Sequence, residues 1–156
     1  MNDSDEKFLT ACQDGNLEQV RYYLTSPELN ILADINITDN QGWTGLMKAA
    51  FNEDIEIMNY LLTSDELSLH ADIAQLHPLD FNTLMISCFY EKIKSISYLI
   101  NDYDIEINKD TMNWLNGENA YNKKYSIVLD MIEKKEMSKS LNINLTQKNS
   151  SKRTKI

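Results

Sequence analysis

Few side chains in this 156-residue chain could do covalent or metal chemistry: His70, His77, Cys12, Cys88 and some adjacent carboxylates. The two histidines share one stretch with no cysteine or further ligand at metal-binding spacing, so no metal site is expected. The glycines Gly15, Gly42, Gly45 and Gly117 form no phosphate-cradling loop. No Gly-x-Ser-x-Gly elbow or Ser/His/Asp order is present. The acidic pairs Glu53-Asp54 and Asp65-Glu66 read as helix caps and solvated loops rather than as general acid/base pairs. No catalytic residue, metal or cofactor is therefore expected.

The chemistry the chain does advertise is recognition by aromatic rings. Trp43 and Phe81 are one fixed interval apart, and Phe51 and Phe89 are separated by the same 38 residues. The interval belongs to an internal repeat. Leu24-Thr25-Ser26-Pro27-Glu28-Leu29 falls on Leu62-Thr63-Ser64-Asp65-Glu66-Leu67, and Ala33-Asp34-Ile35 falls on Ala71-Asp72-Ile73. Three-fold sets keep the phase: Phe8, Leu46 and Leu84; Leu9, Met47 and Met85; Tyr22, Tyr60 and Tyr98; Leu24, Leu62 and Ile100.

Each copy reads as two short helices. In the second copy these are Gly45 to Asn52, with Leu46, Met47, Ala49 and Ala50 apolar, and Ile55 to Ser64, with Ile55, Met58, Leu61 and Leu62 on one face and Asp54 as cap. Helices this short are not stable alone, so each pair must bury its stripe against the next. A fourth, irregular copy begins with a helix around Met112 to Tyr121 and continues through Tyr125, Ile127, Val128, Met131 and Ile132. Tyr22, Tyr60 and Tyr98 are expected to be structural. Cys12 and Cys88 sit at equivalent positions two repeats apart, roughly 20 Å at the usual helix spacing. That is too far for a disulfide, so both are expected as buried thiols.

The stretch Asp39-Asn40-Gln41-Gly42-Trp43-Thr44-Gly45-Leu46-Met47-Lys48-Ala49-Ala50 resembles the ankyrin-repeat signature, and Ala33-Asp34-Ile35-Asn36 resembles that family's exit from the second helix. The resemblance implies an all-α fold, an ankyrin-repeat solenoid of helix-turn-helix pairs with short hairpin-like turns. It implies that Asp39 and Gly42 shape the turn, that Thr44 caps the first helix, and that Ala49-Ala50 lets helices approach closely. The chain departs from the family in its period of 38 rather than the usual 33. Gly45 and Met47 stand where the family has Pro and His, and the glycine between helices survives only as Gly15, becoming Glu53 and Glu91 in later copies. A HEAT-like helix-pair solenoid is the alternative, but it does not account for the Asp-x-x-Gly-x-Thr turn. The expected organisation is a repeat domain over 1–136, with repeats at about 5–38, 39–76, 77–109 and 110–136, followed by a polar, basic and partly disordered tail over 137–156.

Family contacts usually fall on the turn tips and first helices. Carried over by position, that places the partner-binding surface on Asn40, Gln41, Trp43, Phe51, Asn52, Phe81, Phe89, Tyr90 and Tyr121. Trp and Tyr are favoured in interfaces because they bury large area at low entropic cost. Charge is segregated: residues 1–110 carry 20 acidic and 6 basic side chains, and 111–156 carry 4 acidic and 9 basic. An acidic body disfavours nucleic acid and suits a basic protein partner. No stretch is long and apolar enough for a membrane span, and the acidic N-terminus is unlike a signal peptide, so a cytoplasmic protein is expected. The expected role is a non-enzymatic, monomeric protein-binding module, such as a single-partner inhibitor or immunity-type protein. The other readings are an effector or adaptor for a host protein, a structural oligomer, and an enzyme or accessory domain, which lacks any catalytic constellation.

Overall fold

The computed structural model describes residues 1–117 and 125–153, with side chains described through residue 143. Among the described residues the named elements are all helices: α1 (Asp3–Gln13), α2 (Leu17–Thr25), α3 (Gly45–Asn52), α4 (Ile55–Thr63), α5 (Thr83–Phe89), α6 (Ile93–Ser97), α7 (Lys109–Asn116) and α8 (Ser126–Arg153). A π-helical turn, Tyr98–Asp102, continues α6. An isolated β-bridge between Thr38 and Thr44 closes the hairpin-like turn ahead of α3. The chain divides into two compact units, Met1–Leu99 and Ile100–Ile156.

The first unit holds three helix pairs, and side-chain caps fix where each helix begins. Asn2 and Asp5 form a reciprocal capping box on α1. Thr44 accepts from the Met47 amide at α3, and Asn82 accepts from the Met85 amide at α5. Asn16 and Asp54 do the same for α2 and α4. At α6 the N-cap is Lys92, which has no such acceptor. Glu53, from the preceding pair, reaches across instead, and its Oε1 accepts from the Lys94 amide at 2.8 Å.

The turn between paired helices needs a left-handed residue. Gly15 meets this at φ 71°, and Glu53 and Glu91 adopt the same conformation at 59° and 58°. The substitutions for glycine therefore leave the turn geometry intact, at the strain of a side chain in the left-handed region.

Phe8, Leu46, Met47, Leu84, Ile57, Met58, Leu61, Ile96 and Leu99 are buried along the repeat positions, and Ala49 and Ala50 have no exposed surface. Full burial of a Leu or Phe contributes about 1.5–3 kcal/mol. A Cβ at Gly45 would lie 2.6 Å from Phe8 Cζ and 2.9 Å from Cys12 Sγ, so glycine there permits α1 and α3 to touch. Cys12 and Cys88 are both buried and neither forms a disulfide.

The lengthened connections, 26–44 and 64–82, are ordered, and their hydrogen bonds repeat after one period. Ala33 N donates to Tyr23 O and Ala71 N to Leu61 O. Asp34 accepts from the Asn36 amide as Asp72 accepts from the Ala74 amide. The first connection is also fastened to α1 and the second to the first. Asp34 N donates to Asp5 Oδ1 at 2.9 Å, and Asp72 N donates to Asn36 Oδ1 at 2.8 Å.

Tyr60 and Tyr98 are buried as expected, but Tyr22 is 40% exposed. The reason is positional. The Arg21 guanidinium covers Tyr60, and Asn59 bonds the Tyr98 hydroxyl, each supplied by the preceding second helix. Among the described residues α2 has no second helix before it.

In the second unit, Asn108 caps α7 through the Thr111 amide, so this helix starts before Met112 and closes at Gly117 rather than near Tyr121. Leu115, Tyr125, Val128 and Ile132 are buried, and the Trp114 and Tyr125 rings lie 5.0 Å apart. Ile127 is exposed. Asp104 bridges Lys135 and Lys139, and these hydrogen-bonded ammonium groups hold its carboxyl below the usual range. The backbone of α8 is helical to Arg153, through the segment that reads as a partly disordered tail. That segment contains no Gly or Pro to interrupt a helix.

Candidate interaction surface

The surface is built on two successive turns, 39–44 and 77–82. In the first, Asp39 Oδ1 accepts from the amides of Gln41 (2.9 Å) and Trp43 (3.0 Å), Asp39 N donates to Trp43 O, and Gly42 takes φ 87°. Burial of Asp39 acts to raise its pKa. The Lys48 ammonium at 2.7 Å and the two amides outweigh it, and the carboxyl lies below its ordinary value. The second turn copies the first with different residues. His77 takes the place of Asp39, its N donating to Phe81 O and its Nδ1 accepting from the Leu79 amide at 3.2 Å. Asp80 takes the place of Gly42 at φ 60°. The turns interlock, because a Cβ on Gly42 would lie 2.1 Å from Pro78 Cδ.

These turns and the ends of α3 and α5 bring the aromatic residues into one cluster. Trp43 meets Phe51 at 5.6 Å and Tyr90 at 6.1 Å, and Phe51 meets Tyr90 at 5.0 Å. Phe89 joins Tyr90 (5.1 Å) to Phe81 (5.7 Å). Lys92 Nζ lies 4.3 Å over the Phe51 ring. Edge-to-face pairs of this kind contribute about 0.5–1.5 kcal/mol each beyond area burial. The cluster thus has a structural share and an open share. Trp43, Phe51 and Phe81 are half-buried, whereas Phe89 and Tyr90 are 45% and 43% exposed.

Two features differ from the spacing. The period sets Phe89 under Phe51 and Phe81 under Trp43. In the fold Tyr90 meets both Phe51 and Trp43, and Phe81 pairs with Phe89. The contact is diagonal in the stack: Tyr90 reaches back 39 residues to Phe51 as Asn52 reaches back 39 residues to Gln13, and the left-handed Glu53 and Glu91 keep the two turns in phase. Asn40 and Gln41 are exposed at the tip. Asn52 is exposed too, but its Nδ2 donates to Gln13 O at 2.6 Å, which ties it to α1. Tyr121 lies outside the described residues.

The sequence reading passed over three residues here. His77 shapes the second turn and packs edge-on against Trp43 at 5.6 Å, whereas His70 contacts the Ser64 carbonyl near the end of α4. Leu79 stands at the second tip, 67% exposed, and Lys92 covers a ring of the cluster. The period carried the signal for the first two, since His77 and Leu79 follow Asp39 and Gln41 by 38 residues. Among the described residues no three His, Cys, Asp or Glu side chains gather as a metal site, and no helix is long and apolar enough to cross a membrane. What this arrangement offers is a part-open aromatic surface on rigid turns, suited to binding.

A family model for ankyrin repeats, in three copies, matches residues 8–113. The chain belongs to the ankyrin-repeat family. Ankyrin repeats imply protein–protein interaction, and the helix pairs described above are its repeating units. Among solved structures, the chain is similar to one in a complex titled as a predatory endopeptidase from Bdellovibrio bacteriovorus with an immunity protein. The TM-score is 0.53 and the identity 19%, over 80% of this chain and 63% of that one. At this identity the likeness is one of fold, and the ankyrin chain spans less than two thirds of the neighbour's length. No curated protein matches the chain.

Proposed function

We propose that this ankyrin protein is a non-enzymatic, cytoplasmic, monomeric inhibitor of the immunity type, which binds one basic protein through the aromatic surface of its second and third repeats. The binding domain is residues 1–136, with repeats at about 5–38, 39–76, 77–109 and 110–136, and 137–156 is an appended basic segment. The observation that carries the reading is the part-open cluster of Trp43, Phe51, Phe81, Phe89 and Tyr90, continuous across two first helices. Asn40, Gln41 and Asn52 border it. The excess of acidic over basic side chains in residues 1–110 supports a basic partner, since opposite charge raises encounter rates. The immunity protein named in the neighbouring complex supports the inhibitory role.

The test is affinity capture from the source organism, comparing the native chain with a Phe89→Ala/Tyr90→Ala variant shown to be folded by circular dichroism. Loss of two exposed rings should weaken binding of a stoichiometric partner by about 30-fold or more, as expected for hot-spot aromatics. Added salt should slow association with that partner. Equal binding by both proteins would move the site off the cluster. Absence of any protein partner at low salt would overturn the binding role.

A further inference from the structure

We infer that Leu79 is the insertion anchor of this surface, and that the partner receives it in an apolar pocket rimmed by basic side chains. The inference rests on the binding role proposed above and adds the shape and chemistry of the partner's site. Leu79 is 67% exposed at the end of a turn, and a pocket that surrounds the side chain would remove the most apolar area from water.

The turn is held by three hydrogen bonds and by its neighbours. The Leu79 amide is bound by His77 Nδ1, Asp80 N donates to His77 O at 2.8 Å, and His77 N donates to Phe81 O at 2.9 Å. Pro78 fixes its own φ and rests against Gly42 of the turn beside it. The His77 ring is braced by Trp43. A preorganised anchor loses little entropy on binding, which is where a single exposed leucine gains most affinity. Leu76, also largely exposed, precedes the turn and widens the apolar tip.

Charge sets the rim. Asp80 is exposed beside Leu79, and the body behind it is strongly acidic, so cations around the pocket meet complementary charge. The equivalent tip residue one repeat earlier is the polar Gln41, so the apolar anchor belongs to the third repeat in particular.

The test places the photo-cross-linker p-benzoylphenylalanine singly at positions 79 and 90, and at the exposed α2 position 18 as control, in the full chain in cells of the source organism. The expected result is one protein cross-linked from both 79 and 90 and not from 18. The adduct from 79 should map to an apolar residue with Lys or Arg side chains around it. Leu79→Ala should then weaken that purified pair by about tenfold, and Leu79→Met should change it by less than about threefold. Cross-linking from 90 but not 79, an adduct from 79 on an acidic or flat polar surface, or unchanged affinity of Leu79→Ala would overturn the anchor and leave the binding role standing. No cross-link from either position would overturn both.

Discussion

Glu53 has two opposed effects that can be separated. Its backbone is held at φ 59°, where a side chain costs about 1 kcal/mol relative to glycine. Its carboxylate caps α6 through the Lys94 amide, which contributes about 1 kcal/mol, as for other anionic groups at helix N-termini. Glu53→Ala keeps the strain and loses the cap, so it should destabilise by about 1 kcal/mol. Glu53→Gly loses both effects and should be nearly neutral. Adding Lys92→Asp to Glu53→Gly gives α6 a cap of its own, as Asn16 and Asp54 give α2 and α4. The new cap contributes about 1 kcal/mol and loss of the Lys92–Phe51 ring contact costs about 0.5 kcal/mol, so the double variant should exceed the native chain by about 0.5 kcal/mol. Urea unfolding followed by far-ultraviolet circular dichroism reads these differences as midpoint shifts at constant slope. If Glu53→Gly is as unstable as Glu53→Ala, no strain is stored at this turn. If Lys92→Asp adds nothing to Glu53→Gly, the reasoning about the cap is wrong.

Three further outcomes are expected. Gly45→Ala forces a methyl to within 2.6 Å of Phe8 Cζ and should cost about 1–3 kcal/mol by overpacking, read from the same urea titrations. The carboxyl of Asp39 lies below its ordinary pKa, so its contribution to stability is full above the unfolded carboxylate range and is lost as pH falls through the lower, folded value. Lys48→Met should reduce that acid dependence, and identical thermal-melt pH profiles for the two proteins would refute the assignment. Burial pushes the Cys12 thiol well up, so it should resist iodoacetamide at neutral pH in the native chain and react once urea unfolds it, as followed by mass spectrometry.

The helices were legible because two signals coincide: an apolar pattern in phase at 38 residues, and capping residues at Thr44 and Asp54. Boundaries followed closely for α3 and α4, where both signals are present. Where an end depends on neighbours, the sequence said less. Glu53 and Glu91 carry no residue-type signal for a left-handed turn, and only their alignment with Gly15 reveals it. His77 drew no role from the sequence beyond the absence of metal partners, because an imidazole nitrogen standing in for a carboxylate oxygen has no sequence signature. The aromatic residues were legible by spacing, but their pairing was not. It follows a diagonal contact between successive repeats, Tyr90 onto Phe51 as Asn52 onto Gln13, which the alignment of equivalent positions does not display. The order of the long connections was also hidden, since their bonds to Asp5 and Asn36 join residues far apart in the chain.

The interlock of Gly42 with Pro78 constrains how binding specificity can be altered. Tip residues of a repeat array are natural places to randomise, and randomisation treats each tip as independent. Here a side chain at position 42 would have to occupy the space of the ring at position 78. Position 42 therefore cannot vary independently of position 78, and a library that diversifies position 42 while keeping the proline would be depleted of folded members. A productive scheme would exchange both turns together, and related sequences that lose the glycine should also lose the proline.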